Sequence, residues 1–155
     1  MRRCSSCKET RAPAGATCPT RWAMATHTLN ICLGSGMTSL FEPDPSALSL
    51  FELLQPFGEV LRRTPLQTHR LDDIVEIQHV DFLKIDVQGA ELAVFEGDRA
   101  KLTETVEIQT EVSFVPLYEG QPCIGDIDLE LRGQGFLPHC FVDMSMCATS
   151  PARTR

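Results

Sequence analysis

The sequence predicts an α/β fold built on a parallel sheet, and three observations carry that expectation. VDFLKIDV, at 80–87, is almost continuously apolar, the pattern of a parallel strand covered on both faces, with Lys84 and Asp86 as its polar exceptions. Directly after Gly89, AELAVFEG places Leu92 and Phe95 on one helical face. TVEIQTEV, at 105–112, then alternates, with Val106, Ile108 and Val112 on one side and Glu107, Gln109 and Glu111 on the other. Strand, helix and strand in that order make a βαβ unit, and a crossover helix makes the two strands parallel.

The remaining elements follow in chain order. Residues 1–26 are rich in Arg, Cys, Ser, Thr and Ala, show no helical or strand period and are interrupted by Pro13 and Pro19, which reads as an unstructured leader. Organelle transit peptides share its Arg-rich, acid-poor composition, but no apolar face accompanies it, so a basic tail is the plainer reading. From Thr28, LNICL is strand-like, Gly34-Ser35-Gly36 is a turn, and the two prolines of FEPDP forbid a central strand. Ser46 to Leu54 reads as a helix capped by Ser46, with a stripe of Leu50, Leu53 and Leu54, closed by Pro56 and Gly58. EVLRRTPLQTHRLDDI reads as extended pieces interrupted at Pro65. A short helix is expected after Gly97-Asp98. Ile124, Ile127 and Leu131 space a third helix that Gly135 ends, and FLPHCFVD reads as a last strand that Pro138 confines to an edge. The expected partition is a leader at 1–26, one folded domain at 27–143 and a frayed tail at 144–155.

Length and composition bound the function. A chain of 155 residues supports one hydrophobic core, and 43% apolar with 23% charged residues is the balance of a folded chain rather than a disordered one. No run approaches the apolar length of a membrane span and no export signal is legible, so a cytoplasmic protein without a membrane partner is expected. The net charge of −7 is uneven: residues 1–26 hold five basic and one acidic residue, while 27–155 hold nine basic and twenty acidic. An acidic folded part repels a phosphate backbone, which argues against nucleic acid and for a small-molecule or glycan partner. Seven cysteines without an export signal read as free thiols rather than a disulfide framework. Cys4, Cys7, Cys18, His27 and Cys32 offer soft ligands, but their spacing fits no familiar zinc finger or ribbon, and no metal is expected. His27, His69, His79 and His139 carry no paired motif and read as surface or satisfied histidines.

Ligands of open α/β sheets bind outside the carboxyl ends of the parallel strands. That rule singles out Asp86 at the end of the first strand, Glu111 at the end of the second, and Glu91 in the first helical turn between them. A carboxylate there can take a proton from a hydroxyl, hold a divalent cation or accept hydrogen bonds from a sugar or cofactor. The plainer alternative is that Asp86 caps the following helix while Glu107 and Glu111 face water.

DFLKIDVQGAELAVFEG, then TEVSFVPLYEGQP, then GDIDLELRGQGF form an ordered succession that resembles the second half of the FkbM family of S-adenosylmethionine-dependent methyltransferases. LDDI and GSGMTSLFEPDP resemble its connecting region, and the likeness covers roughly 29–143. The resemblance implies a Rossmann-like methyltransferase sheet and methyl transfer to oxygen on sugars or natural products. It implies a catalytic rim of Asp86 and Glu111, contacts to S-adenosylmethionine from Asp86, Gln88 and Glu91, and Tyr118 at the substrate mouth; more plainly, Tyr118 packs a loop beside Pro116. The family's glycine-rich Asp-x-Gly-Ala-Asn-x-Gly loop does not occur; CLGSGMTS, the nearest candidate, lacks the acidic residue. The expectation is a methyltransferase sheet truncated on its N-terminal side, with self-association through an uncovered strand edge. FEPDP also resembles the family segment whose acidic residue holds the cofactor ribose, which would make Glu42 a ligand; the connecting-region register leaves Glu42 a surface residue.

Overall fold

The computed structural model describes residues 25–144. Its fold is mixed α/β with two small sheets. β1 (Ala25–Cys32) and β2 (Val60–Thr68) pair antiparallel, while β3 (Phe82–Ile85) and β4 (Glu107–Thr110) pair parallel. Between β3 and β4 the chain runs through α2 (Glu91–Gly97) and α3 (Arg99–Leu102), the expected βαβ order; α1 (Pro45–Leu48) precedes them and α4 (Ile124–Gly133) follows. β1 begins two residues inside the stretch read as leader; residues 1–24, with Cys4, Cys7 and Cys18, lie outside the described residues. Among the described residues no helix is long and apolar enough to cross a membrane.

Two apolar clusters organise the chain. Ile85 of β3, Phe95 of α2, Leu102 of α3 and Ile127 of α4 form one, with Leu83, Ile108 and Leu131 packed against it. The helical spacing read in the sequence therefore lines this cluster. Cys32, Met37, Leu48 and Tyr118 form the other, beside β1. Burial first, then the charge of Glu42, raises the pKa of the Cys32 thiol, so it behaves as a small apolar side chain and not as a thiolate ligand.

Polar contacts join the pieces. After β2, Arg70 pairs with Asp72 at 3.2 Å, and the Asp72 carboxylate accepts the Ala100 and Lys101 backbone N–H groups, 3.2 and 2.9 Å away. The LDD turn thus caps α3 from across the fold. Arg99 pairs with Glu130 at 2.7 Å, tying α3 to α4, and Gln134 Nε2 donates to the Phe95 carbonyl at the end of α2, 2.7 Å away.

Four expectations are corrected. The helix read over Ser46–Leu54 is a single turn, and its cap is Asp44, whose Oδ1 accepts the Ser46 and Ala47 N–H groups at 2.8 and 3.2 Å; Pro45 at the first helical position starts it early. Of the expected stripe, Leu50 and Leu53 are exposed and lie outside the buried clusters, while Leu54 lies against the first-sheet cluster before a 3-10 turn at Gln55–Gly58. Pro65 does not interrupt its strand: it sits opposite Thr28 inside β2. A two-stranded sheet needs the N–H of only every other residue, which leaves room for a proline. The strand read at 80–87 shortens to β3 and is covered on one face, since Leu83 and Ile85 meet the core while Phe82 is 50% exposed. The strand read in FLPHCFVD does not form: Leu137, Phe141 and Val142 are exposed, and Pro138 cannot donate to a ladder.

Candidate functional site

The carboxyl ends of β3 and β4 lie side by side, with Ile85 opposite Thr110 and the Glu111 N–H donating to the Ile85 carbonyl at 3.2 Å. Parallel pairing in this register sets Asp86 and Glu111 at the same rim, one residue beyond each strand. Glu91 joins them from the first position of α2. Asp86, Glu91 and Glu111 each bring a carboxylate oxygen within 4.8 Å of the other two. The sequence rule for α/β rims therefore selects three groups that the fold does bring together.

The turn between β3 and α2 is built around Glu91. Its side chain is buried, 3% exposed, and its two oxygens accept the Val87 and Gly89 N–H groups, each at 2.9 Å. Capture of the Val87 N–H ends the strand, and the loop bends at Gln88, φ 53°, and Gly89, φ 102°. At Gly89 a side chain would be strained and would press on Gln121, 3.2 Å from an added Cβ. No side chain caps α2, so the capping role weighed for Asp86 is not realised: Glu91 holds the loop amides, and Asp86 is left facing solvent at the rim.

Gln88 lies across the two rim carboxylates. Its Nε2 donates to Asp86 Oδ1 at 2.6 Å and to Glu111 Oε2 at 3.0 Å, and its Oε1 accepts from the Tyr118 hydroxyl at 3.3 Å. Desolvation, a hydrogen bond shared with Asp86 and the charges of Asp86 and Glu91 push Glu111 up to about 7, against the lowering donation from Gln88. Although much of Glu111 is solvent-exposed, its acid end lies among like charges. The Tyr118 hydroxyl stays protonated through the ordinary range, because burial and then the neighbouring acidic groups raise its pKa. Tyr118 is 2% exposed, its ring in the first-sheet cluster and its hydroxyl turned to Gln88 and to Met37 Sδ, 3.8 Å away. Tyr118 is therefore a packed residue whose hydroxyl reaches the Gln88 amide.

A cavity of about 360 Å³ opens beside the rim, between the β1–β2 sheet and the start of α2. Asp86 and Gln88 border it, with Leu29, Leu66, Ala93 and Val94 among its apolar walls. Glu42 lines a different groove and pairs with Arg63, the surface placement of the connecting-region register. Two residues of the site carried no signal of their own. Ser39, buried, donates its hydroxyl to the Gln88 carbonyl at 2.6 Å, and Gln121 accepts the Leu117 and Tyr118 N–H groups at 2.7 and 3.3 Å. Both lie inside the quoted motifs, but nothing in their type or spacing marks them.

With this geometry in view, the comparisons with known proteins are informative. The sequence model of the methyltransferase FkbM domain matches residues 23–138. The chain belongs to the FkbM methyltransferase family. A relative in Sinorhizobium fredii, named 2-O-methyltransferase NoeI, is 44% identical over 59 residues, 36% of this chain and 24% of that protein. The match thus spans about a quarter of that relative's length. No solved structure matches the chain.

Proposed function

We propose that this FkbM-type region serves S-adenosylmethionine-dependent O-methylation of a sugar or natural-product hydroxyl, in a cytoplasmic setting, with Asp86 and Glu111 as the proton-accepting pair. The carboxylate pair at the carboxyl ends of two parallel strands carries the reading. An acidic rim suits a cofactor bearing a sulfonium and an ammonium, and Asp86 and Gln88 are the residues that would face it, with the buried Glu91 holding their loop from behind. The cofactor supplies an electrophilic methyl group. As the acceptor oxygen gains that methyl it must release a proton, and a carboxylate at about 7 is partly ionised near neutral pH, which suits it to take that proton. Tyr118 borders the same pair and would line the acceptor side. The Rossmann-like sheet supporting this chemistry includes strands beyond the β3–β4 pair, together with the glycine-rich loop that this sequence does not contain.

The deciding experiment places the region in a chain that carries that loop and compares Asp86→Asn with the parent. Turnover falls by about 10²-fold or more while the fold is retained, the usual loss on removing a positioned base. Full turnover with a lowered melting temperature would make Asp86 structural. The 155-residue chain alone binds S-adenosylmethionine weakly, and micromolar affinity in calorimetry would point to a substitute loop.

A second reading, a non-catalytic binding or dimerisation module, draws support from the edge of β3 that is unpaired among the described residues and from the exposure of Phe82 on that strand. Sedimentation of the purified chain separates the two. Self-association that leaves the rim carboxylates titrating normally favours the module.

A further inference from the structure

We propose that Gln88 is a positioning residue for the Asp86–Glu111 pair: its side-chain amide bridges the two carboxylates, fixes their mutual placement, and is itself oriented by Tyr118. The proposal deepens, and rests on, the reading of those carboxylates as the proton-accepting pair.

The direction of the amide follows from what its neighbours can do. A carboxylate accepts and an ionised one cannot donate, whereas the side-chain amide has one donating and one accepting end. The protonated Tyr118 hydroxyl donates to Oε1 at 3.3 Å, which turns the NH2 end toward the rim. Both of its hydrogens are then used, one on Asp86 Oδ1 at 2.6 Å and one on Glu111 Oε2 at 3.0 Å. A neutral group with two donors is what two like charges need to stay close, since each N–H stabilises the ionised form it meets.

The backbone is held to deliver this. Gln88 is the one non-glycine residue with positive φ among the described residues, a conformation that L side chains adopt at a cost. Ser39 fixes its carbonyl, and Glu91 fixes the N–H groups on either side of it, at Val87 and Gly89. Ser39 and Tyr118 from distant parts of the chain, with Glu91 from the following turn, therefore converge on one strained residue whose side chain does nothing for the apolar core. Glutamate at 88 would keep the shape but add a third negative charge; leucine would keep the bulk and lose both donors.

The test is a titration of Glu111 by carbon-13 NMR on protein labelled at glutamate side-chain carboxyls, with Glu111→Gln used to assign the signal. In the parent protein its midpoint lies near the value of about 7 that its surroundings impose. Gln88→Leu moves that midpoint up by about one pH unit, because the donor that favours ionisation is gone, and Gln88→Glu moves it further, because a like charge then stands where the donor stood. Tyr118→Phe moves it the same way by less, since the amide is then free to turn. Amide NMR spectra confirm that each variant is folded. Should Gln88→Leu fail to fold, Gln88→Glu and Tyr118→Phe still decide the matter.

A raised parent midpoint that stays within about 0.3 pH unit in the folded variants would overturn the positioning role while leaving the carboxylate pair intact. A parent midpoint near the ordinary 4.5 would instead remove the pair on which the proposed function depends, and the positioning role with it.

Discussion

β1 and β2 stay in register over seven residues, from Ala25 to Ile31, before the register shifts at Cys32, yet β2 buries none of its side chains fully; β3 and β4 pair over only four positions and sit on Phe95 and Leu102, which are 0% and 1% exposed. The longer ladder is thus held by backbone hydrogen bonds over a thin apolar layer, and the shorter one by side-chain packing from three helices. Packing density sets local rigidity more than ladder length does. The carboxylate rim stands on the densely packed side, where a short strand can end abruptly and still be held. Tyr118 joins the halves, its ring in the cluster of the first and its hydroxyl in the site of the second.

The comparison predicts unequal sensitivity. Phe95→Ala empties the centre of the βαβ cluster and costs about 3–5 kcal/mol of stability, while Leu66→Ala, on the partly exposed face of β2, costs less than about 1 kcal/mol. Chemical denaturation of the two variants measures both. Equal losses would mean that the halves are packed alike. Next in size, Glu91→Ala leaves the Val87 and Gly89 N–H groups without their acceptor and costs about 2–3 kcal/mol, since a buried donor loses its partner. It also loosens the Gln88 turn, so amide hydrogen exchange rises at residues 87–89 while the β1–β2 ladder keeps its protection; a rise shared by both sheets would break the distinction.

A further expected effect is a slope in pH. The folded chain holds the Glu111 proton up to about 7, while the unfolded chain releases it near 4.5. Between those values the unfolded state sheds the proton first, so the stability linked to this group is present below about 4.5 and is lost as pH rises through about 7. Asp98, also raised chiefly by desolvation, acts in the same direction at the other end of α2. Melting temperatures across this range decline for the parent, and Glu111→Gln declines less. An identical decline would assign the slope to Asp98 and leave the rim without a titrating group.

Some of this was legible in the linear chain. The helices at Glu91–Gly97 and Ile124–Gly133 and the parallel strands around Leu83 and Ile108 follow from neighbours two, three or four residues apart, which periodicity records. The meeting of Asp86 and Glu111 follows too, because parallel strands in register bring their ends to one rim. Tertiary structure decided the rest. Pro65 lies inside a strand that pairs with β1 alone among the described residues, so its missing donor is tolerated, and the stripe of Leu50 and Leu53 stays exposed. Within the turn, local spacing could not tell which of Asp86 and Glu91 would hold the loop amides, since both are within reach and backbone bends at Gln88 and Gly89 settle the choice. Ser39 reaches Gln88 across 49 residues and Tyr118 reaches it across 30, contacts that no sequence period encodes. They exist because the two apolar clusters, each closed by its own burial, bring those residues to a common boundary.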